Sequence, residues 1–148
     1  MNEIEILRFL KHPTIITLYE VYESADYVHL VIEYLKGGEL FDKIQAKGSY
    51  SEGDAAKLMK RLLEAINYCH QKNVIHRDLK PENIILQDTA SDLDFKIVDF
   101  GLAVIARPDT KETLRCGSPG YAAPEVLLKE GYGLKADIFS CGIMLSFL

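Results

Sequence analysis

The chain has 148 residues, 48% of them apolar, and carries 17 lysines and arginines against 22 aspartates and glutamates, a net charge of −5. Those values describe one soluble globular domain, and an acidic balance without a concentrated Lys/Arg tract excludes a nucleic acid partner, whose phosphates draw on clustered cations. Cys69, Cys116 and Cys141 share no C-x-x-C spacing, so neither a zinc site nor a disulfide framework is expected, and the compartment reads as reducing, cytoplasmic or nuclear.

At the start, Ile4, Leu7 and Leu10 fall at helical spacing across Asn2 to Lys11, and His12-Pro13 stops the pattern because proline disfavours helix in the residue before it. Glu3, Glu5 and Arg8 within this stretch are wrong for a signal peptide, and it is too short for a membrane span. Two runs rich in β-branched and aromatic residues follow, Ile15 to Tyr22 and Tyr27 to Tyr34, and Ser24, Ala25 and Asp26 between them predict a hairpin. In the second run Val28, Leu30, Ile32 and Tyr34 alternate with Tyr27, His29, Val31 and Glu33, the two faces of a strand that Lys36-Gly37-Gly38 ends. A short helix is predicted over Glu39 to Ala46. Past Lys47-Gly48, Ser51 opens a longer helix, with Asp54 three residues on as a weak capping box. Ala55, Met59, Leu62, Ile66 and Cys69 form its apolar stripe, and Lys57, Lys60, Arg61 and Glu64 its polar face.

Beyond Gln71 the helical period stops. Val74-Ile75, Ile84 to Leu86 and Phe95 to Val98 are short apolar runs, read as strands, which deliver dense polar stretches at their ends, where catalytic groups usually sit. From Gly101 to Glu125 periodicity is weak, and Pro108, Gly117, Pro119 and Pro124 interrupt any regular element; so long a loop in a compact domain is functional or disordered. Ala136 to Leu148 is mostly apolar but short, and it holds Asp137, which fits a core helix and not a membrane anchor.

The stretch His76-Arg77-Asp78-Leu79-Lys80-Pro81-Glu82-Asn83 gathers a base, cations and polar ligands within one loop. Taken alone it also describes a solvated charged loop. The ordered recurrence of Asp99-Phe100-Gly101 and then Ala123-Pro124-Glu125 changes that reading. Together these motifs resemble the catalytic loop, the metal-binding triplet and the end of the activation segment of eukaryotic protein kinases, and the likeness covers essentially the whole chain. It implies an α+β, protein-kinase-like two-lobed fold in incomplete form. Residues 1–35 would be the C helix, two small-lobe strands and the hinge; residues 36–148 would be a mainly helical large lobe through its central helix. The implied activity is transfer of the ATP γ-phosphate to protein hydroxyls, with ATP and Mg2+ as cofactors. Asp78 would orient the hydroxyl and accept its proton, Lys80 would lie against the transferring group, and Asn83 and Asp99 would hold the metal. Lys80 two residues after Asp78, and Gly117-Ser118-Pro119-Gly120-Tyr121 before Ala123, resemble the serine/threonine-specific branch. Ser118 there takes the place usually held by threonine, contacting the catalytic Asp and Lys.

By the same resemblance Glu3 is the C-helix glutamate that pairs with an ATP-anchoring lysine, although the helix dipole favours a glutamate in any first turn. Ile32 would guard the adenine pocket, Glu33 and Leu35 would offer backbone bonds to adenine, Glu39 would touch ribose and Ile85 would floor the base; the apolar ones are equally core residues. Leu7, Leu18, His76 and Phe100 match the stacked column linking the lobes, so His76 reads as a buried structural histidine. Glu39 and Glu82 resemble acidic positions that receive a basic residue ahead of the substrate Ser or Thr. Arg77 resembles the arginine that a loop phosphate engages; Leu114 stands where many relatives keep threonine, and Thr110 and Thr113 are the nearby candidates. Gly-Gly-Glu-Leu around Glu39 leans toward calcium/calmodulin-dependent kinases, with calmodulin or another regulator encoded outside these residues. The chain is expected to be a fragment, because the Gly-rich loop and the lysine partner of Glu3 would precede it and the central helix, with Phe139 where tryptophan is usual, runs to the last residue. Glu125, paired with a later arginine in the family, would be a buried unpaired carboxylate costing several kcal/mol, leaving the isolated chain poorly stable and inactive. The rival reading is a non-catalytic pseudokinase-like binding module, against which Asp78, Lys80, Asn83 and Asp99 stand.

Overall fold

The computed structural model describes residues 3–107 and 109–148. Helix α1 (Glu3–Phe9) buries Ile6 and Leu7. It ends before the predicted Lys11, whose N–H instead donates to the Tyr68 hydroxyl at 2.9 Å; the predicted start at Asn2 lies outside the described residues.

The hairpin forms as β1 (Leu18–Glu23) and β2 (Val28–Ile32), antiparallel, with Leu18 opposite Ile32, Glu23 opposite Val28 and a bulge between Leu18 and Glu20. Both strands are shorter than the apolar runs that announced them. Ile15 bridges Ile97 in parallel, and the Ile16 N–H bonds the Ile97 carbonyl at 3.0 Å, so the first run begins in the core beneath the hairpin. The alternation in β2 does not become burial, since all five of its residues are exposed.

Helix α2 (Leu40–Lys47) starts one residue late, with Glu39 ahead of its first turn. Helix α3 (Glu52–Gln71) is capped as predicted: Ser51 Oγ accepts the Asp54 N–H at 3.1 Å, satisfying one of the otherwise orphan first-turn donors. Its stripe of Ala55, Met59, Leu62, Ile66 and Cys69 is buried, and Leu58 and Ala65 widen it.

Two short ladders flank α3. Strand β3 (Val74–Ile75) pairs antiparallel with β6 (Val104–Ile105), and β4 (Ile84–Leu86) with β5 (Phe95–Ile97); a 3-10 turn at Pro81–Asn83 leads into β4. Strand β6 lies inside the stretch read as irregular, because two residues are too few to show a period. Pro124 does not break a helix but opens α4 (Pro124–Leu128), at the first position, where a missing N–H costs nothing. Helix α5 (Lys135–Leu145) buries Ala136, Asp137, Ser140, Cys141 and Met144. Among the described residues no helix is long and apolar enough to cross a membrane.

The architecture is thus α+β, with α3 at the centre of one core and Leu62, Ile66, Phe95, Phe100, Ile6 and Leu7 fully or nearly fully buried in it. Gly37 joins the hairpin side to the rest by close approach: a Cβ there would lie 2.3 Å from the Asp88 carbonyl oxygen. Phe95, fully buried with the Arg61 guanidinium 5.9 Å above its ring, is the core's largest side chain at the β4–β5 ladder. Phe95→Ala is expected to cost about 3–5 kcal/mol, read as a lower denaturant midpoint at unchanged slope; a loss under about 1 kcal/mol would place this ring outside the core.

Candidate active site

The loop after β3 is positioned by a single carboxylate. Asp137, in the first turn of α5 and 1% exposed, accepts the His76 N–H at 2.9 Å and the Arg77 N–H at 3.0 Å, and the His70 Nε2 from the last turn of α3 lies 2.9 Å from it. Arg77 sits at φ 71°, a conformation that costs about 1–3 kcal/mol in a non-glycine residue and persists where surroundings over-determine it. The two amide bonds to Asp137 supply that determination. His76 is fully buried, its ring edge-on to Phe100 with centroids 4.7 Å apart. Its Nδ1 accepts the Asp78 N–H at 3.3 Å, which leaves Nε2 to donate to the Val98 carbonyl at 3.3 Å. Burial pushes its imidazole below the ordinary value, against the pull of Asp137, so the ring is a neutral spacer. Leu7 and Leu18 are buried with it.

Asp78 follows directly. Its Oδ1 accepts both the N–H and the hydroxyl of Ser118, each at 2.8 Å. The Lys80 ammonium donates to Ser118 Oγ at 2.9 Å and lies 3.4 Å from Asp78 Oδ2. Asn83 donates its amide to the Asp78 carbonyl at 2.8 Å and approaches Oδ2 at 3.3 Å. Burial pushes the Asp78 carboxyl up, but the Ser118 bonds and the Lys80 charge outweigh it and hold the group below its ordinary 3.8. The approach of the 112–118 segment depends on Gly117, at φ 85°, where a Cβ would stand 2.3 Å from the Arg77 carbonyl oxygen.

Asp99 lies just past β5, exposed, at φ 58°, and accepts the Gly101 N–H at 3.2 Å. Glu3 reaches it from α1: burial and then the Asp99 charge push the Glu3 carboxyl up, while a bond from the Phe100 N–H opposes them. Asn83, with its NH2 committed to Asp78, presents its amide oxygen. Hard oxygen donors of this kind suit Mg2+. Among the described residues no three His, Cys, Asp or Glu gather as a metal site, so a metal here would need the Asn83 oxygen and outside oxygens to complete its shell.

At the hairpin's end Ile32 is 48% exposed. Glu33 donates its N–H to the Thr17 carbonyl at 3.0 Å, and its side chain accepts the Thr17 N–H at 2.7 Å and pairs with Lys96 at 2.8 Å. Leu35 is half-buried, as is Ile85, which bridges Glu39. Elsewhere, Glu82 Oε2 is buried without a hydrogen-bond partner among the described residues, beside Tyr121, whose phenol burial and then the Glu82 charge push up. Glu125 is only half-buried, which corrects the expected buried carboxylate and removes most of its cost. Thr110 and Thr113 are exposed, and the Arg77 guanidinium turns toward Glu112 and Tyr132.

Sequence reasoning missed Asp137, His70 and Lys96. An acid in an apolar helix and a lysine in the apolar run Phe95 to Val98 were the available signals, since a charge placed there needs a partner.

Residues 1–148 match the family described as Protein kinase domain. Calcium/calmodulin-dependent protein kinase type 1 of Macrobrachium nipponense is 48% identical over 143 residues, covering 97% of this chain and 41% of its own length. CBL-interacting protein kinase 21 of Oryza sativa subsp. japonica is 48% identical over 148 residues, covering 97% and 28%. Myosin light chain kinase A of Dictyostelium discoideum is 46% identical over 142 residues, covering 96% and 48%. The chain spans less than half the length of these curated relatives.

A carboxylate held low stabilises the fold fully above its ordinary value and gives that contribution up as the pH falls through the lowered one. Ser118→Ala removes the hydroxyl bond but keeps the N–H bond, so the Asp78 titration is expected to move upward toward 3.8. A carboxyl-carbon NMR titration reads this; an unmoved Asp78 would assign the depression to Lys80 and the Ser118 N–H.

Proposed function

This chain belongs to the protein kinase domain family, and we propose that it carries the catalytic loop, metal-binding triplet and activation segment of a serine/threonine protein kinase. The parent protein would transfer the γ-phosphate of ATP to Ser or Thr hydroxyls of protein substrates. The observation that carries this reading is the Asp78, Lys80, Ser118 and Asn83 cluster, a carboxylate held ionised beside an ammonium. Residues 1–35 belong in this proposal to the small lobe and hinge, and residues 36–148 to the large lobe.

Bound Mg2+ and ATP would supply the phosphoryl group and the neutralisation of its charge. Asn83 and Asp99 would hold the metal. Asp78 accepts the proton leaving the attacking hydroxyl at Oδ2, the oxygen less firmly held, while Ser118 fixes Oδ1 and so sets the carboxylate's aim. Lys80 supplies positive charge where negative charge develops. Ile32, Leu35 and Ile85 would hold the adenine through apolar contact, the Glu33 carbonyl and Leu35 N–H would offer it hydrogen bonds, and Glu39 would serve the ribose. Glu3, raised by burial and by Asp99, is suited to a cationic partner from outside these residues. Glu82 and Glu39 receive a basic residue upstream of the acceptor, a reading supported by the orphaned Glu82 oxygen. A reducing, cytoplasmic or nuclear setting and a calmodulin-like regulator acting through other segments complete the proposal, the first in keeping with three free cysteines.

In the parent protein Asp78→Asn is expected to lower phosphate transfer to a Ser peptide by about 100-fold or more with ATP binding retained; unchanged transfer would sink the reading, and a wild type that binds ATP without transfer would mark a binding module. Glu82→Gln is expected to reduce the preference for a peptide with Arg ahead of its Ser roughly tenfold, measured as a ratio of kcat/KM values. An unchanged ratio would move the basic subsite elsewhere.

A further inference from the structure

The Arg77 side chain is 10% exposed. It donates to two neutral groups, the Leu102 carbonyl at 2.6 Å and the Tyr132 hydroxyl at 3.2 Å. A cation this deep needs a counter-charge. Asp137 accepts only the backbone N–H of Arg77, and its oxygens are already taken by His70 and His76. Among the described residues the carboxylate in ion-pair range of the guanidinium is Glu112, with Oε2 3.7 Å from Nη1.

Glu112 is not a passing contact. Its N–H donates to the Tyr132 carbonyl at 2.9 Å and its carbonyl accepts the Tyr132 N–H at 2.8 Å. Tyr132, 2% exposed, donates its hydroxyl to the Leu114 carbonyl at 2.7 Å, with the Cys116 thiol 3.5 Å away. Backbone and side chain thus tie 112–116 to the segment between α4 and α5 and to Arg77, the residue before Asp78, and Cys116 stands two residues before Ser118. Leu114, 58% exposed, carries no group that a phosphate can join.

We propose that Glu112 is the resident counter-ion of Arg77: its carboxylate does what a phosphate on Thr110 or Thr113 would do, and as a positioning residue it keeps Ser118 seated on Asp78 without phosphorylation. This rests on the kinase reading above. Charge on the segment orders it from within, so the parent enzyme is active as synthesised.

The test uses the full-length parent protein, treated with phosphatase and shown by mass spectrometry to lack phosphate on Thr110 and Thr113. Peptide phosphorylation is expected to persist after treatment. Glu112→Gln is expected to lower kcat roughly tenfold with the KM for ATP unchanged, Glu112→Asp to restore most of it, and amide exchange of 109–116 to rise in the Gln variant alone. Activity lost on dephosphorylation and indifferent to Glu112→Gln would overturn the proposal while leaving the kinase reading intact. A wild type inactive in every phosphorylation state would overturn the kinase reading instead. In that case exchange decides: protection of 109–116 that depends on Glu112 upholds the pairing, and unchanged protection overturns it.

Discussion

Asp137, buried at the start of α5, takes His70 from α3 and the successive amides of His76 and Arg77 after β3, and the geometry of the site follows from that convergence. A carboxylate in such a place is costly unless its lone pairs are filled. Three donors from two directions fill them, so the burial becomes a constraint: α5 cannot shift against α3 without leaving the charge unmet. The left-handed turn at Arg77 is held by the same bonds, and it swings the chain so that Asp78 points away from the core toward Ser118.

Charge is distributed unevenly across the site. On one side Asp78 is held low by Ser118 and Lys80 against the effect of burial. On the other, Glu3 is pushed up by burial and by Asp99. The first carboxylate stays ionised beside Lys80, and the second is destabilised as an anion by burial and by its neighbour. Two groups of one type thus serve different ends because their surroundings differ. The pair of Glu33 and Lys96 belongs to a third setting, where a charge pair ties the end of the hairpin to β5.

The segment from Gly101 to Glu125 shows how far local signals reach. Its glycines and prolines mark it correctly as lacking long elements, and two of them prove to be specific: Gly117 for its approach to the Arg77 carbonyl and Pro124 for opening α4. The β6 pairing and the Glu112–Tyr132 bridge leave no local signal, because each needs a partner distant in the chain and occupies too few residues to carry a period. Glu125 is half-exposed for the same reason: whether a carboxylate is buried depends on what packs over it, which no spacing states.

The sequence by itself determined the helices whose apolar stripe and cap are local, the α3 stripe and Ser51 foremost, the hairpin, and the ordered motifs around Asp78, Asp99 and Glu125 that identify the family. These are legible because periodicity, capping and motif spelling act over a few residues. Only the tertiary structure decided that Asp137, a lone acid in an apolar helix, holds the loop after β3, that Lys96 answers Glu33, and that Arg77 faces Glu112. Each of these joins residues far apart in the chain, and the Coulomb energy and desolvation that select such pairs exist only once folding has brought the charges together and excluded water.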